Sequence, residues 1–185
     1  MKDSNMNKAR LQELYNHNIR ATLQKQLGLS NVMETPRLVK IVLNVGVKEA
    51  VSNSKVLNTV EDVVTRIAGQ KPIRTLARKS IASFKLREGM PIGVQVTLRG
   101  RNMYEFLDRL LNTTLPKVRD FQGVPTKLDG RGNYNLGLKD WGVFPEVDYG
   151  MSEKAFGLNI TFHTTAKTNE HGKALLKSFG MPFRT

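Results

Sequence analysis

Three histidines and sixteen carboxylates are this chain's stock for proton transfer or metal binding, and it has no cysteine. His17, His163 and His171 show no HExxH spacing and no evident carboxylate partner, and read as surface or strand-face side chains. Glu61 and Asp62 adjoin on a stretch of helical pattern, where a solvated face accounts for them, and Asp129 precedes Gly130 as a turn residue would. No GxxxxGK[ST] run is present, and the GRG at 130–132 lacks the strand-then-helix setting of a phosphate loop. Without cysteine there is no disulfide, thiolate zinc site or thiol nucleophile, which fits a reducing, intracellular setting. The chain reads as a protein without catalytic residues, metal or cofactor.

Its cations are the distinctive chemistry. Lys and Arg number 29 against 16 Asp and Glu, a net charge of +13. A surplus of that size points to a polyanionic partner. It is concentrated between Asp62 and Glu88, where Arg66, Lys71, Arg74, Arg78, Lys79, Lys85 and Arg87 occur with no intervening acid. Surface cations are ordinarily interspersed with carboxylates, so these residues are expected to face something else. Arginine holds a phosphate with its planar fork or stacks on a base, and hydroxyls and amides reach 2′-OH groups and base edges. A membrane surface fits less well, because that requires a basic amphipathic helix with aromatic anchors, and the N-terminal helix offers only Tyr15. No stretch approaches the ~20 apolar residues of a membrane span.

Periodicity supplies the elements that would position these groups. Leu11, Leu14, Tyr15, Ile19, Leu23 and Leu27 recur at helical spacing before Gly28, and Val56, Leu57, Val60, Val63, Val64 and Ile67 do so before Gly69. Asn102 and Glu105 suggest a capping box ahead of Phe106, Leu107, Leu110 and Leu111, with Pro116 ending that helix. A last helix is predicted over 169–179. Strand alternation places Val39, Ile41, Leu43, Val45 and Val47 on one face, with Lys40, Asn44 and Gly46 opposite. It places Ile92, Val94, Val96 and Leu98 against Gly93, Gln95, Thr97 and Arg99. A third strand sets Leu158, Ile160, Phe162 and Ala166 against Asn159, Thr161, His163, Thr165 and Lys167. The stretch 80–87 alternates too, with Ala82, Phe84 and Leu86 against Ser83, Lys85 and Arg87.

Period-two alternation means one buried and one wet face. The predicted fold is therefore α+β, an antiparallel sheet with helices packed on one face, its polar face open for RNA. Residues 120–150 carry Gly123, Gly130, Gly132, Gly137, Gly142 and Gly150 with Pro125 and Pro145, too many for a regular element. They predict a long, mobile, projecting loop with "DGRGNYN" at its tip. No repeat or linker divides residues 1–185, which predicts a single domain. A sequence-specific RNA-binding protein is the favoured class. A general RNA chaperone and an RNA-modifying enzyme are the competitors.

The segments "PRLVKIVLNVGV", "AGQKPIRTLARKSIASFKLREGMPIGVQVTLRG", "LDGRGNYNLG", "FPEVDY" and "ITFHTTAKT…GKALLKSFGMPF" closely resemble, in order and over nearly the whole length, the bacterial large-subunit ribosomal protein family conventionally numbered five. The resemblance implies a cytoplasmic, ribosomal protein that binds 5S rRNA and helps seat it on 23S rRNA in the central protuberance, beside other 5S-binding ribosomal proteins. It points to Asn44, Gln70 and Thr97 as 5S rRNA contacts. Lys71, Gln95, Arg99, Thr161 and Thr165 complete the expected set. It further implies that Arg74, Arg78, Lys79 and Ser80 meet the elbow of the P-site tRNA. Arg131, Asn133 and Tyr134 would bridge to the small-subunit head protein thirteen, with Gly130 and Gly132 letting the arm bend. His163 stands where the family's strand is rich in threonine, and Trp141 is expected to pack in the core.

Overall fold

The structure, a computed structural model, describes residues 9–147 and 156–184. The end of the predicted projecting loop, including the last residues of "FPEVDY", lies outside the described residues. Five strands form one open antiparallel sheet: β1 (Leu38–Gly46), β2 (Ile73–Leu76), β3 (Pro91–Leu98), β4 (Tyr134–Leu138) and β5 (Leu158–Thr164), in the order β2-β3-β1-β5-β4. With its helices this is the α+β architecture that the alternation predicts. The chain divides into two compact units, Met1–Ile41 with Arg99–Leu136 and Thr161–Thr185, and Val42–Leu98 with Gly137–Ile160.

In the first unit a helical run comprises α1 (Arg10–Leu14), a π-helical turn (Tyr15–Ile19) and α2 (Arg20–Gln26). Leu11, Tyr15, Ile19 and Leu23 fall four residues apart and are buried, the stripe expected of a core-facing helix. The run ends at Gly28, φ +62°, with Gly28 N–H donating to Lys25 O and Leu29 N–H to Gln24 O, a Schellman closure. The helices α4 (Gly100–Arg109) and α5 (Asn169–Ser178) complete the unit. Tyr15 and Tyr104 both pack against Phe179, with ring centroids 6.0 and 6.1 Å away. Asn102 does not cap α4. The helix opens two residues earlier, at Gly100, with Arg99 at the N-cap and no side chain closing it.

One face assignment is corrected here. Leu38 is buried and Val39 is 39% exposed. Leu38 and Ile41 both point inward three residues apart, so the alternation changes phase between them. Two adjacent aliphatic residues give no sign, by type alone, of which one turns to the core.

In the second unit α3 (Ser54–Ala68) buries Leu57, Val60, Val63, Val64 and Ile67. It starts on Asn53, whose side chain accepts from Lys55 N–H at 3.0 Å, and stops at Gly69, φ +66°. Leu43 and Val45 of β1 and Val94, Val96 and Leu98 of β3 are buried in this unit's core, as is Val47 just beyond β1. Strands β2 and β3 pair antiparallel, with Ile73 opposite Gln95, Arg74 opposite Val94 and Thr75 opposite Gly93. Trp141 is buried against Phe156, 5.1 Å between centroids, the core role predicted for it.

Two further expectations are corrected. Residues 80–87 are not a strand: Ile81 and Leu86 form an isolated bridge around a 3-10 turn, and Lys85 is left-handed at φ +53°. The alternation there comes from a turn-closing hairpin end. Nor is 120–147 without regular structure, since β4 runs through it with Tyr134, Leu136 and Leu138 buried and Asn135 and Gly137 exposed. "YNLGL" alternates like any half-buried strand; the glycine count obscured it.

Candidate nucleic-acid interface

Two faces of the second unit separate cleanly. Residues opposite each other in an antiparallel pair share a face. Arg74, opposite buried Val94, turns toward α3, where its guanidinium donates to Glu61 Oε2 at 2.8 and 2.7 Å and to Asn58 Oδ1 at 3.0 Å. That fixes α3 on this face. The other face carries Ile73, Thr75, Gln95 and Thr97, and Ile73 is 68% exposed. Gln95, Thr97 and Asn44 are half-buried, with amide and hydroxyl groups turned to this wet side. Gln70 follows the stop of α3, and its Nε2 donates to Thr97 O at 3.4 Å. Lys71 beside it is exposed. The structure thus gathers Asn44, Gln70, Lys71, Gln95 and Thr97 in one unit, as amides, a hydroxyl and a cation.

From this face the β2–β3 connection extends as a pinned hairpin. Ala77 N–H donates to Met90 O (2.9 Å) and Gly89 N–H to Ala77 O (3.0 Å). Glu88 N–H donates to Ser80 Oγ (2.9 Å), and Ile81 and Leu86 exchange backbone bonds of 2.9 and 3.1 Å. Ser80 therefore has a structural task, holding the two limbs together. Arg78, Lys79, Lys85 and Arg87 are exposed, and among the described residues none has a carboxylate within ion-pair distance. Arg74 is the correction to this basic set. Its acid lies 13 residues away in sequence and 2.7 Å away in space, so its charge is matched within the fold.

In the first unit the wet side of β5 carries Thr161 and His163. Thr161 Oγ1 bonds Asn135 Oδ1 at 2.6 Å. Thr165 lies just past the strand, exposed, and exchanges contacts with Arg37: its N–H donates to Arg37 O and its Oγ1 accepts from Arg37 N–H, both at 3.0 Å. Arg99 is exposed at the start of α4. His163 is held below the ordinary imidazole value, first by partial burial and then by Lys40; Asp129 opposes the shift and Arg99 adds to it. Lys40 and His163 are thus members of a basic, hydroxyl-bearing patch that the strand alternation already placed on the wet face.

The glycine turn expected to project is instead tied down. Asp129 Oδ1 accepts from Arg131 N–H (2.8 Å) and Asn133 N–H (2.9 Å), and Asp129 Oδ2 accepts from Asn133 Nδ2 (2.7 Å). Burial would raise this carboxyl, but those bonds hold it below the usual range. Asn169 Oδ1, at the start of α5, accepts from Gly130 N–H (3.0 Å) and Gly132 N–H (3.2 Å). A Cβ on Gly132 would sit 2.6 Å from Ala166 Cβ, and one on Gly172 would strike Gly132 O. Glycine is required here for close approach.

Of the three residues expected to form a bridge, Arg131 is exposed, while Asn133 spends its side chain on Asp129 and on Thr164 N–H (3.1 Å). Tyr134 is corrected. It is fully buried beside Phe162 and Phe183, its hydroxyl donates to Pro125 O at 2.7 Å, and burial pushes its pKa up to about 12.

Among the described residues no group of His, Asp and Glu could hold a metal ion, and no helix is long and apolar enough to cross a membrane. A family model described as ribosomal protein L5 matches residues 31–87, and a second model, for the C-terminal part of the same ribosomal protein family, matches 91–183. Large ribosomal subunit protein uL5 of Acidobacterium capsulatum is 58% identical over 95% of this chain and 97% of its own. The uL5 proteins of Geotalea uraniireducens and Geobacter sulfurreducens are 58% and 56% identical over 95% of this chain and 99% of theirs.

Proposed function

Because this chain belongs to the ribosomal protein L5 family, we propose that its wet sheet face binds 5S rRNA and its basic hairpin meets tRNA. Membership makes it a structural, non-enzymatic constituent of the cytoplasmic large ribosomal subunit. In this reading Asn44, Gln70, Gln95 and Thr97 offer base edges and 2′-OH groups the hydrogen bonds that specify one RNA, with Lys71 on a flanking phosphate. Arg99, Thr161 and Thr165 form a second 5S rRNA contact. Seated this way, the protein helps hold 5S rRNA on 23S rRNA in the central protuberance beside the other 5S-binding proteins. Arg78 and Lys79, with Ser80 bracing the limbs, present positive charge to the P-site tRNA elbow. Arg131 reaches toward protein thirteen of the small-subunit head.

The observation that carries the 5S assignment is the sorting of one sheet into an aliphatic face under α3 and a face of amides and hydroxyls that keeps its polar groups partly open. A solvated face needs no such concentration of amides and hydroxyls. The test is a binding titration of purified protein with 5S rRNA and with an unrelated structured RNA at ~0.2 M salt, where non-specific phosphate contacts are weakened. Preference for 5S rRNA is expected, and Thr97→Ala or Asn44→Ala should cost roughly 1–3 kcal/mol of that affinity. Equal binding of both RNAs sinks the assignment.

A further inference from the structure

The β2–β3 hairpin carries a group that phosphate binding leaves unexplained. Phe84 sits in the 3-10 turn at its end and is 68% exposed, with no aromatic ring against it among the described residues. Ile81 behind it is 41% exposed. The turn is not loose: Phe84 N–H donates to Ile81 O (3.3 Å) and Lys85 N–H to Ala82 O (3.0 Å), below the Ile81–Leu86 bridge. The pinned turn fixes the backbone that carries the ring, and an aromatic side chain has only two χ angles left to order, so little further ordering is needed when something stacks on it.

The surroundings decide what that partner is. Arg78, Lys79, Lys85 and Arg87 surround the turn in sequence, with Glu88 the one acid of 77–90. A cleft of about 760 Å³ lies beside it, lined by Ser80, Ala82, Lys85, Leu86, Arg87 and Glu88. Docking an apolar protein groove here would cost the desolvation of unpaired cations at its rim unless the groove were edged with acids. Aromatic faces interleaved with cations suit single-stranded or splayed nucleotides, where the base stacks and the backbone meets the charges. One ring also matches one base in area, whereas a stable protein contact needs about 800 Å² from each partner.

We propose that Phe84 is a stacking platform for one unstacked base of the RNA met by this hairpin, with Lys79 and Lys85 on the neighbouring phosphates. This rests on the tRNA reading above and adds to it a contact with a base. The test uses large subunits assembled with the full chain carrying Phe84→Leu, Phe84→Tyr or Arg78→Glu/Lys79→Glu. It reads the rate of P-site tRNA release and the 5S rRNA content of each subunit. Phe84→Leu keeps apolar volume and loses the π face; it should speed release roughly 5- to 150-fold, the range of one lost base–aromatic stack. Phe84→Tyr should restore the slow rate, with 5S rRNA content unchanged throughout. Leucine performing as well as phenylalanine would show mere apolar cover, as a protein partner would give, and overturn the proposal. Loss of 5S rRNA in Phe84→Leu subunits would overturn it too, by placing the ring elsewhere. If the charge reversal leaves release unchanged, the tRNA reading of the cations falls by itself; if it speeds release while Phe84→Leu does not, stacking alone falls.

Discussion

At the scale of single residues, the proposed RNA face makes a prediction about the protonation of His163. The folded chain holds its imidazole below 6.5, through burial, Lys40 and Arg99, against the pull of Asp129. As pH falls through 6.5 the unfolded chain takes up the proton first, so acidification through the lowered native value removes stability. A phosphate backbone on this face works the other way, because it favours imidazolium; bound RNA should raise the midpoint and gain affinity as pH falls. An NMR titration of the His163 ring is expected to show a midpoint below 6.5 in the free protein, moving up with Lys40→Ala and again with 5S rRNA. A free-protein midpoint at or above the ordinary imidazole value would contradict this account. The wet-face position of His163 was legible from alternation alone. The fate of Arg74 was not: seven cations with no acid between them look unmatched, but a strand and a helix brought Glu61 across 13 residues to its guanidinium. Charge pairing is a property of the folded surface, and sequence distance measures it only within a helix.

At the scale of elements, the sheet's two faces depend on how tightly β3 lies in place. A Cβ on Gly93 would fall 2.7 Å from Val45 O and 2.8 Å from Thr75 Oγ1. The Thr75 hydroxyl can rotate away, but Val45 O is backbone, so Gly93→Ala must push β3 away from β1. It should cost about 1–3 kcal/mol, the scale of overpacking in a close-packed region, read from the denaturant midpoint at unchanged m-value. Long, regular signals survived the passage from sequence to structure: the helical stripes before Gly28 and Gly69, and the strands at 91–98 and 158–164. The failures have local causes. Adjacent Leu38 and Val39 compete for one inward position, a bridged turn at 81–86 imitates alternation, and "YNLGL" hides a strand among glycines that serve the neighbouring turn. Asn102 has the right type and spacing for a cap, but α4 opens before it. The RNA-facing candidates on β1 and β3 were legible for the same reason the core was, since period two fixes both faces at once.

At the scale of the whole molecule, a net charge of +13 makes RNA binding a counterion exchange as well as a docking event. Log affinity for 5S rRNA should fall linearly with log salt, losing about 0.7–0.9 in slope for each phosphate met. Removing one such contact with Lys71→Ala should flatten the slope by about one such increment while sparing the preference for 5S rRNA. An unchanged slope would take Lys71 off the backbone. The turn at 129–133 bears on how long the molecule lasts. An aspartate followed by glycine is prone to ageing, because the glycine nitrogen attacks the side-chain carboxyl and closes a succinimide that reopens as isoaspartate. Here the Gly130 nitrogen is committed to Asn169 and both Asp129 oxygens are occupied. Folding thus shields this dipeptide from cyclising, and such damage would gather in chains that have not yet folded.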